Sequence, residues 1–121
     1  MSDLTALIDE HLRAYAEPDD DRRAQAVARL WVDDGSLIDP PFDGTGHAAI
    51  AGMGGVLQQN YAGHTFRRTT AVDSHHGVAR YGWDLVSPAG TIVLSGIDVA
   101  DVTDDGRLRR VVGFFGPLPA E

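Results

Sequence analysis

The sequence predicts an α+β domain in which helices come first and an antiparallel meander of strands follows. Three observations carry that prediction. Apolar residues recur at i, i+3 and i+4 through the first half of the chain. From His64 onward the apolar stretches are split by short turns rich in Gly, Asp and Pro. The length of 121 residues suits one core, so residues 1–121 are read as a single domain.

The elements follow in order. Asp3 is placed to cap a first helix whose buried stripe is Leu4, Leu7, Ile8, Leu12 and Tyr15. Glu17-Pro18 ends it, because a residue before proline is pushed out of the α region. Asp19, Asp20 and Asp21 open a second helix, where carboxylates satisfy orphan N–H groups and favour the positive end of the dipole. Its buried side is Ala24, Val27, Leu30 and Trp31, and Asp33-Asp34-Gly35 stops it. Ser36 to Asp39 reads as a short strand halted by Pro40-Pro41, and Gly44-Thr45-Gly46 as a turn. His47 to Tyr61 is a third helix weakened by Gly52, Gly54 and Gly55, each costing about 1 kcal/mol against alanine. Such a segment is either mobile or closely packed, and is expected at a pocket mouth. Four strands then follow, over His64–Asp73, Val78–Val86, Thr91–Val102 and Arg107–Phe115, with the Asp105-Gly106 pair suiting a tight hairpin.

Composition narrows the function. A formal charge of −8 argues against nucleic acid and against an anionic membrane surface. The absence of cysteine and of lysine removes thiol nucleophiles, Cys-ligated zinc, Schiff bases and a lysine-dependent phosphate loop. No apolar run approaches the roughly 18–20 residues of a membrane span, and no basic leader precedes the first helix. A soluble, cytoplasmic domain is the expectation. Among the histidines no pair has the i, i+4 spacing of a zinc site, so no metal is expected, and the adjacent His75 and His76 are expected to point apart into solvent. No Gly-x-Ser-x-Gly elbow is present, and Gly52-Met53-Gly54-Gly55 does not follow a strand as a dinucleotide fingerprint would.

Three residues stand out as chemistry. The strand Thr91–Val102 is apolar on both faces, which predicts cover on both sides and leaves Asp98 mid-strand and buried. An ionised, unpaired carboxylate is too costly to bury there. Asp98 therefore either pairs with an arginine such as Arg68 or Arg80, or is protonated and donates a hydrogen bond. Asp39 ends a short strand beside Leu37, Ile38 and Phe42, where it is either a turn residue or a general base of raised pKa. Tyr15 lies on the inward stripe of the first helix, as core or as a phenol needing a partner. His64, Phe66 and Arg68 would share one strand face, where the His or Arg could hold an acidic group of a substrate.

With Arg13-Ala14-Tyr15, Leu30-Trp31-Val32-Asp33-Asp34, Ile38-Asp39-Pro40, Gly46-His47-Ala48-Ala49-Ile50, Gly96-Ile97-Asp98 and the closing Phe114-Phe115-Gly116, the chain resembles the nuclear-transport-factor-2-like superfamily over nearly its whole length. That superfamily includes the SnoaL-like cyclases and the Δ5-3-ketosteroid isomerases. The resemblance implies a cone, in which three helices pack into the concavity of a strongly curved, mixed but mostly antiparallel sheet. It also implies a homodimer through the outer sheet face that carries Val93, Ile97 and Val99. By resemblance to the isomerases, Asp39 would shuttle a proton next to a ketone. Tyr15 and a neutral Asp98, a carboxylic acid kept protonated as in ketosteroid isomerase, would stabilise the dienolate. Trp31, Phe42, Phe66, Tyr81 and Trp83 would contact a small apolar ligand without any cofactor. One departure is Gly54, at a position where the isomerases often carry a supporting tyrosine. A polyketide cyclase and a non-catalytic ligand-binding or dimerisation domain remain the competing functions, because one scaffold of this kind hosts many activities.

Overall fold

The computed structural model describes residues 2–121. The first apolar stripe folds into α1 (Ser2–Tyr15), with Leu7, Ile8, Leu12 and Tyr15 buried. Asp3 sits inside its first turn rather than at the cap, where its charge still favours the helix dipole. α2 (Asp20–Leu30) starts as its carboxylates dictate: the Asp19 side chain accepts the Arg22 backbone N–H at 2.8 Å, and Asp20 and Asp21 occupy the first turn.

The helix ends at Leu30, three residues before the expected Asp33-Asp34-Gly35 stop. Trp31 instead opens β1 (Trp31–Asp39), twice as long as the strand expected from Ser36. A register shift between Trp31 and Ser36 bulges the acidic pair out to solvent. Gly35 allows the bulge, since a Cβ there would sit 2.6 Å from the Trp31 ring. β2 (Phe42–Thr45) pairs back on β1, so Gly44 and Thr45 are strand rather than turn, and Gly46 at φ 93° makes the corner into α3 (His47–Asn60). Of the two readings of the glycine-rich helix, close packing holds for Gly54 and Gly55. The buried Arg23 side chain lies against both, and a Cβ on Gly54 would meet Arg23 Cδ at 2.5 Å.

The strand expected over His64–Asp73 is two strands, β3 (Thr65–Arg68) and β4 (Asp73–His75). Between them the Thr69 backbone N–H donates to Gly82 O at 2.9 Å, and Thr70 Oγ1 accepts the Gly82 N–H at 2.9 Å. A threonine hydroxyl thus completes the hydrogen bonding at the break. β5 (Val78–Val86), β6 (Ile92–Val102) and β7 (Leu108–Phe115) form the expected meander.

The sheet has seven strands in the order β2-β1-β7-β6-β5-β3, with β4 also on β5. Only β1 and β7 run parallel, so the sheet is mixed and mostly antiparallel, and it curves around the helices as a cone. α1 packs on β3, α2 on β1, and α3 on β1 and β2. β6 is covered only on this inner side. Val93 and Ile97 on its outer face are each 44% exposed, which corrects the expectation of cover on both faces within one chain. Among the described residues no helix is long and apolar enough to cross a membrane.

Candidate active site

Register brings the two aspartates together from distant parts of the chain. In β6 and β7, Asp98 stands opposite Gly113, while β1 runs parallel on the other side of β7 with Ile38 beside Val112. Asp39, one residue further along β1, therefore reaches the same inner face next to Gly113. A Cβ on Gly113 would lie 2.7 Å from Asp39 Oδ1 and 3.0 Å from Asp98 Oδ1. A side chain at this position would press on both carboxyls.

Asp98 is 7% exposed, and among the described residues it forms no salt bridge. Trp83 Nε1 donates to its Oδ1 at 2.9 Å, and the Tyr81 hydroxyl donates to its Oδ2 at 2.9 Å. The indole reaches Oδ1 by folding over Gly96, where a Cβ would sit 2.4 Å from Trp83 Cζ2. Arg68 and Arg80, the expected partners, are engaged elsewhere: Arg68 Nε donates to Asp9 at 2.8 Å and Arg80 Nε to Asp73 at 2.8 Å. Burial pushes the Asp98 carboxyl up to about 7, with the neighbouring Asp39 charge adding to it and the two donors opposing it. Burial likewise raises Asp39 to about 6. Its Oδ1 is the one buried side-chain polar atom without a partner among the described residues. The Tyr15 and Tyr81 phenols are held neutral far above neutral pH, first by burial and then by these carboxylates.

A cavity of about 480 Å³ opens beside this cluster, with Tyr15 and Asp39 in its wall together with Phe42, Phe66 and Trp83. The remaining expected contacts fall outside it. Tyr81 and Asp98 lie buried behind the Trp83 wall, joined by their hydrogen bond. Trp31 is sealed under α1, edge-on to the His11 ring and beside Arg23, Val27 and Ile50. Its place at the start of β1 rather than on α2 accounts for that. Neither His64 nor Arg68 lines the cavity: His64 precedes β3, where its Nδ1 lies 3.2 Å from the Ala62 carbonyl, and Arg68 is held by Asp9.

Stacking orders the apolar wall. The Tyr15 ring lies parallel to Phe66 at 5.5 Å, Phe66 meets Trp83 edge-on at 5.4 Å, and Trp83 meets Phe115 edge-on at 5.9 Å. Phe115 and the end of α3, with Leu57, Asn60 and Tyr61, also line the cavity and were not singled out in the sequence. Strand parity signalled Phe115, two residues from Gly113 on the same face. No motif signalled Gly113 itself. Gly54 leaves no room for the tyrosine that the isomerases often carry there, because Arg23 occupies the space and donates to Ala51 O and Glu17 O at 2.8 and 2.6 Å.

Elsewhere, His75 and His76 do not point apart. Their Nδ1 atoms are 3.1 Å from each other, although both residues are exposed to solvent as expected. Among the described residues no group of three or more potential metal ligands is assembled.

No protein-family model matches the chain, and no curated protein does. Solved structures do. A SnoaL-like family protein from Agrobacterium tumefaciens, provisionally called an isomerase, superposes with a TM-score of 0.90 at 32% identity, over 97% of this chain and 100% of that one. A protein from Jannaschia provisionally called a SnoaL-like polyketide cyclase gives a TM-score of 0.68 at 14% identity, over 92% of this chain and 85% of that one. A Catenulispora acidiphila protein with a ketosteroid isomerase-like fold, solved with trimethylamine, gives 0.73 at 10% identity, over 91% and 85%. The latter two share the fold. The first shares sequence as well, end to end, and on that ground the chain belongs to the SnoaL-like family.

Proposed function

We propose that this protein is a cofactor-independent enzyme that moves a proton next to the carbonyl of a small apolar ketone, with Asp39 as the base and Tyr15 as the donor to the carbonyl oxygen. One observation carries the reading: Asp39, a carboxylate with an unpartnered buried oxygen and a pKa raised to about 6, stands in the wall of a mostly apolar cavity that also holds the Tyr15 phenol. A general base works best when its pKa lies near the operating pH, and apolar surroundings bring Asp39 toward it. In the reaction the α C–H bond breaks, the proton passes to Asp39 and the electron pair moves onto the carbonyl oxygen. There the Tyr15 hydroxyl stabilises the enolate. The protonated Asp39 then returns its proton to the conjugated carbon, giving the isomerised enone.

Asp98 enters differently from the isomerase scheme. It stands behind Trp83, both of its oxygens taken by Trp83 and Tyr81 and outside the cavity wall, so Tyr15 faces the ligand without it. An aldol ring closure of the polyketide-cyclase kind needs only a base and one donor, and that arrangement favours it as the second reading. On either reading the partner is a second copy, through the outer sheet face where Ile97 and Phe114 are register neighbours at 44% and 59% exposure. Sedimentation at micromolar concentration should give twice the 13.0 kDa chain mass.

The test is turnover of β,γ-unsaturated ketones, from steroids to single-ring compounds, followed by ultraviolet absorbance of the conjugated product. Asp39→Asn should lower it by about 10²–10⁴-fold while a phenol that mimics the enolate still binds. Unchanged turnover in Asp39→Asn overturns the assignment. Phenol binding with no turnover of any such ketone by the unaltered protein overturns it in favour of a binding domain.

A further inference from the structure

Three strands converge on one point of the inner sheet face, and the residue at that point has no side chain. Asp39 comes from β1, Gly113 from β7 and Asp98 from β6. We propose that Asp39 and Asp98 form one coupled acid pair holding a single proton between them, and that Gly113 is the positioning residue that allows the pair to form.

The geometry is specific. One carboxyl oxygen of each aspartate lies within 3.0 Å of the position a Gly113 Cβ would occupy. Asp98 Oδ1 has the Trp83 donor, whereas Asp39 Oδ1 has none. Among the described residues no salt bridge involves either aspartate. The groups around the pair are the Tyr15 phenol from α1, the Tyr81 phenol and Trp83 indole from β5, and the cavity. All are neutral, so two negative charges at this spacing would face each other with nothing to offset them. Holding one proton in the pair removes one of the two charges. Burial and mutual repulsion both act upward on Asp98 and its two donors offset them only in part, so Asp98 holds the proton first and the remaining negative charge lies on Asp39, the base. Gly113 is not in the left-handed region, so its backbone does not require glycine and the space between the carboxyls does.

This inference deepens the proposed function but does not need a substrate to be tested. Carbon-detected NMR of the Asp39 and Asp98 carboxyl carbons, titrated from pH 3 to 9, should show the same two inflections in both residues, since coupled protons leave in steps that belong to the pair. In Asp98→Asn, Asp39 should titrate in one step, with the upper inflection lost. A single independent step for each carbon in the unaltered protein, untouched by removal of the other, overturns the proposal. Gly113 is tested by a thermodynamic cycle. Gly113→Ala should lower Tm, and the loss should shrink when Asp39→Ala removes the oxygen that the new methyl meets. An equal loss in both backgrounds refutes its positioning role. Enone formation with uncoupled titrations would sink this inference and spare the proposed function. Coupled titrations without enone formation would do the reverse.

Discussion

Asp84 and Asp98 sit on neighbouring strands of one sheet, each hidden to the same degree, at 8% and 7% exposure, and each accepts two side-chain hydrogen bonds. Their carboxyls move in opposite directions. Asp84, on the outer face, accepts from Ser95 Oγ at 2.6 Å and Arg67 at 2.8 Å, and these hold it below the usual carboxylate range. Asp98, on the inner face, has neutral donors only, and burial raises it to about 7. Low exposure alone therefore does not set a carboxyl's state. What covers Asp84 is a charged side chain at the surface. What covers Asp98 is the aromatic interior of the cone, and that contrast makes the inner face suited to acid–base chemistry.

The widest consequence of the contrast is a pH dependence of stability. Asp98 and Asp39 bind a proton more tightly in the folded chain than in the unfolded one. Their contribution is therefore complete below the ordinary carboxyl value of 3.8 and is lost as pH rises through about 6 and 7. At Asp98 it should be on the order of 4 kcal/mol. His11 works the other way: burial lowers it to about 4, so it favours the folded state at high pH and loses that contribution as pH falls from 6.5 toward 4. The clean reading is the difference between variants, in which His11 cancels. Urea unfolding at pH 5 and pH 8 should show Asp98→Asn losing less stability than the unaltered protein on going to pH 8. A pH dependence identical in the two would remove the contrast between the aspartates.

Much of this could be read from the chain before the structure. The α+β order, the five-residue neighbourhood of Asp39 and the inward parity of Asp98 all follow from local patterns whose periods are short. So does the second helix, whose start is written in three consecutive aspartates. The misplacements have a common cause. Trp31 and Asp33-Asp34-Gly35 read as helix and stop because composition cannot register a bulge, which exists only relative to β7. Arg68 and Arg80 were candidates for Asp98 by charge alone, and which carboxylate each meets depends on how α1 and β4 dock on the sheet. Gly113 left no trace and Gly96 entered only as part of Gly96-Ile97-Asp98, since a glycine needed for the room it leaves looks like any other until the register is known. Tyr15 and Asp39 were found together because each ends its element at the same end of the cone.

Removing a donor sharpens the comparison at intermediate size. Tyr81→Phe leaves Asp98 Oδ2 without its partner in a buried place, which should cost about 1–3 kcal/mol and push the Asp98 carboxyl further up. Trp83→Phe should act in the same direction on Oδ1 and also open the cavity wall. Unfolding free energy at pH 5, where the carboxyl is protonated, should show the smaller loss, and pH 8 the larger. An equal loss at both pH values would mean that the donors serve packing and not the charge on Asp98.

The smallest effect belongs to the outer face. Arg67→Ala removes the cation from Asp84, but the Arg67 side chain is itself largely in water. An ion pair in that setting contributes about 0–1 kcal/mol, and salt screens it further. Stability should therefore barely change, while the Asp84 carboxyl moves back toward its ordinary value, with Ser95 still holding it partly down. The same carbon-detected titration that follows Asp98 follows Asp84, so both can be read in one sample. A rise of Asp84 to the level of Asp98 would mean that a single arginine separates the two aspartates. A small rise would mean that access to water does most of it, because the outer face can hydrate a bare carboxylate and the inner face cannot.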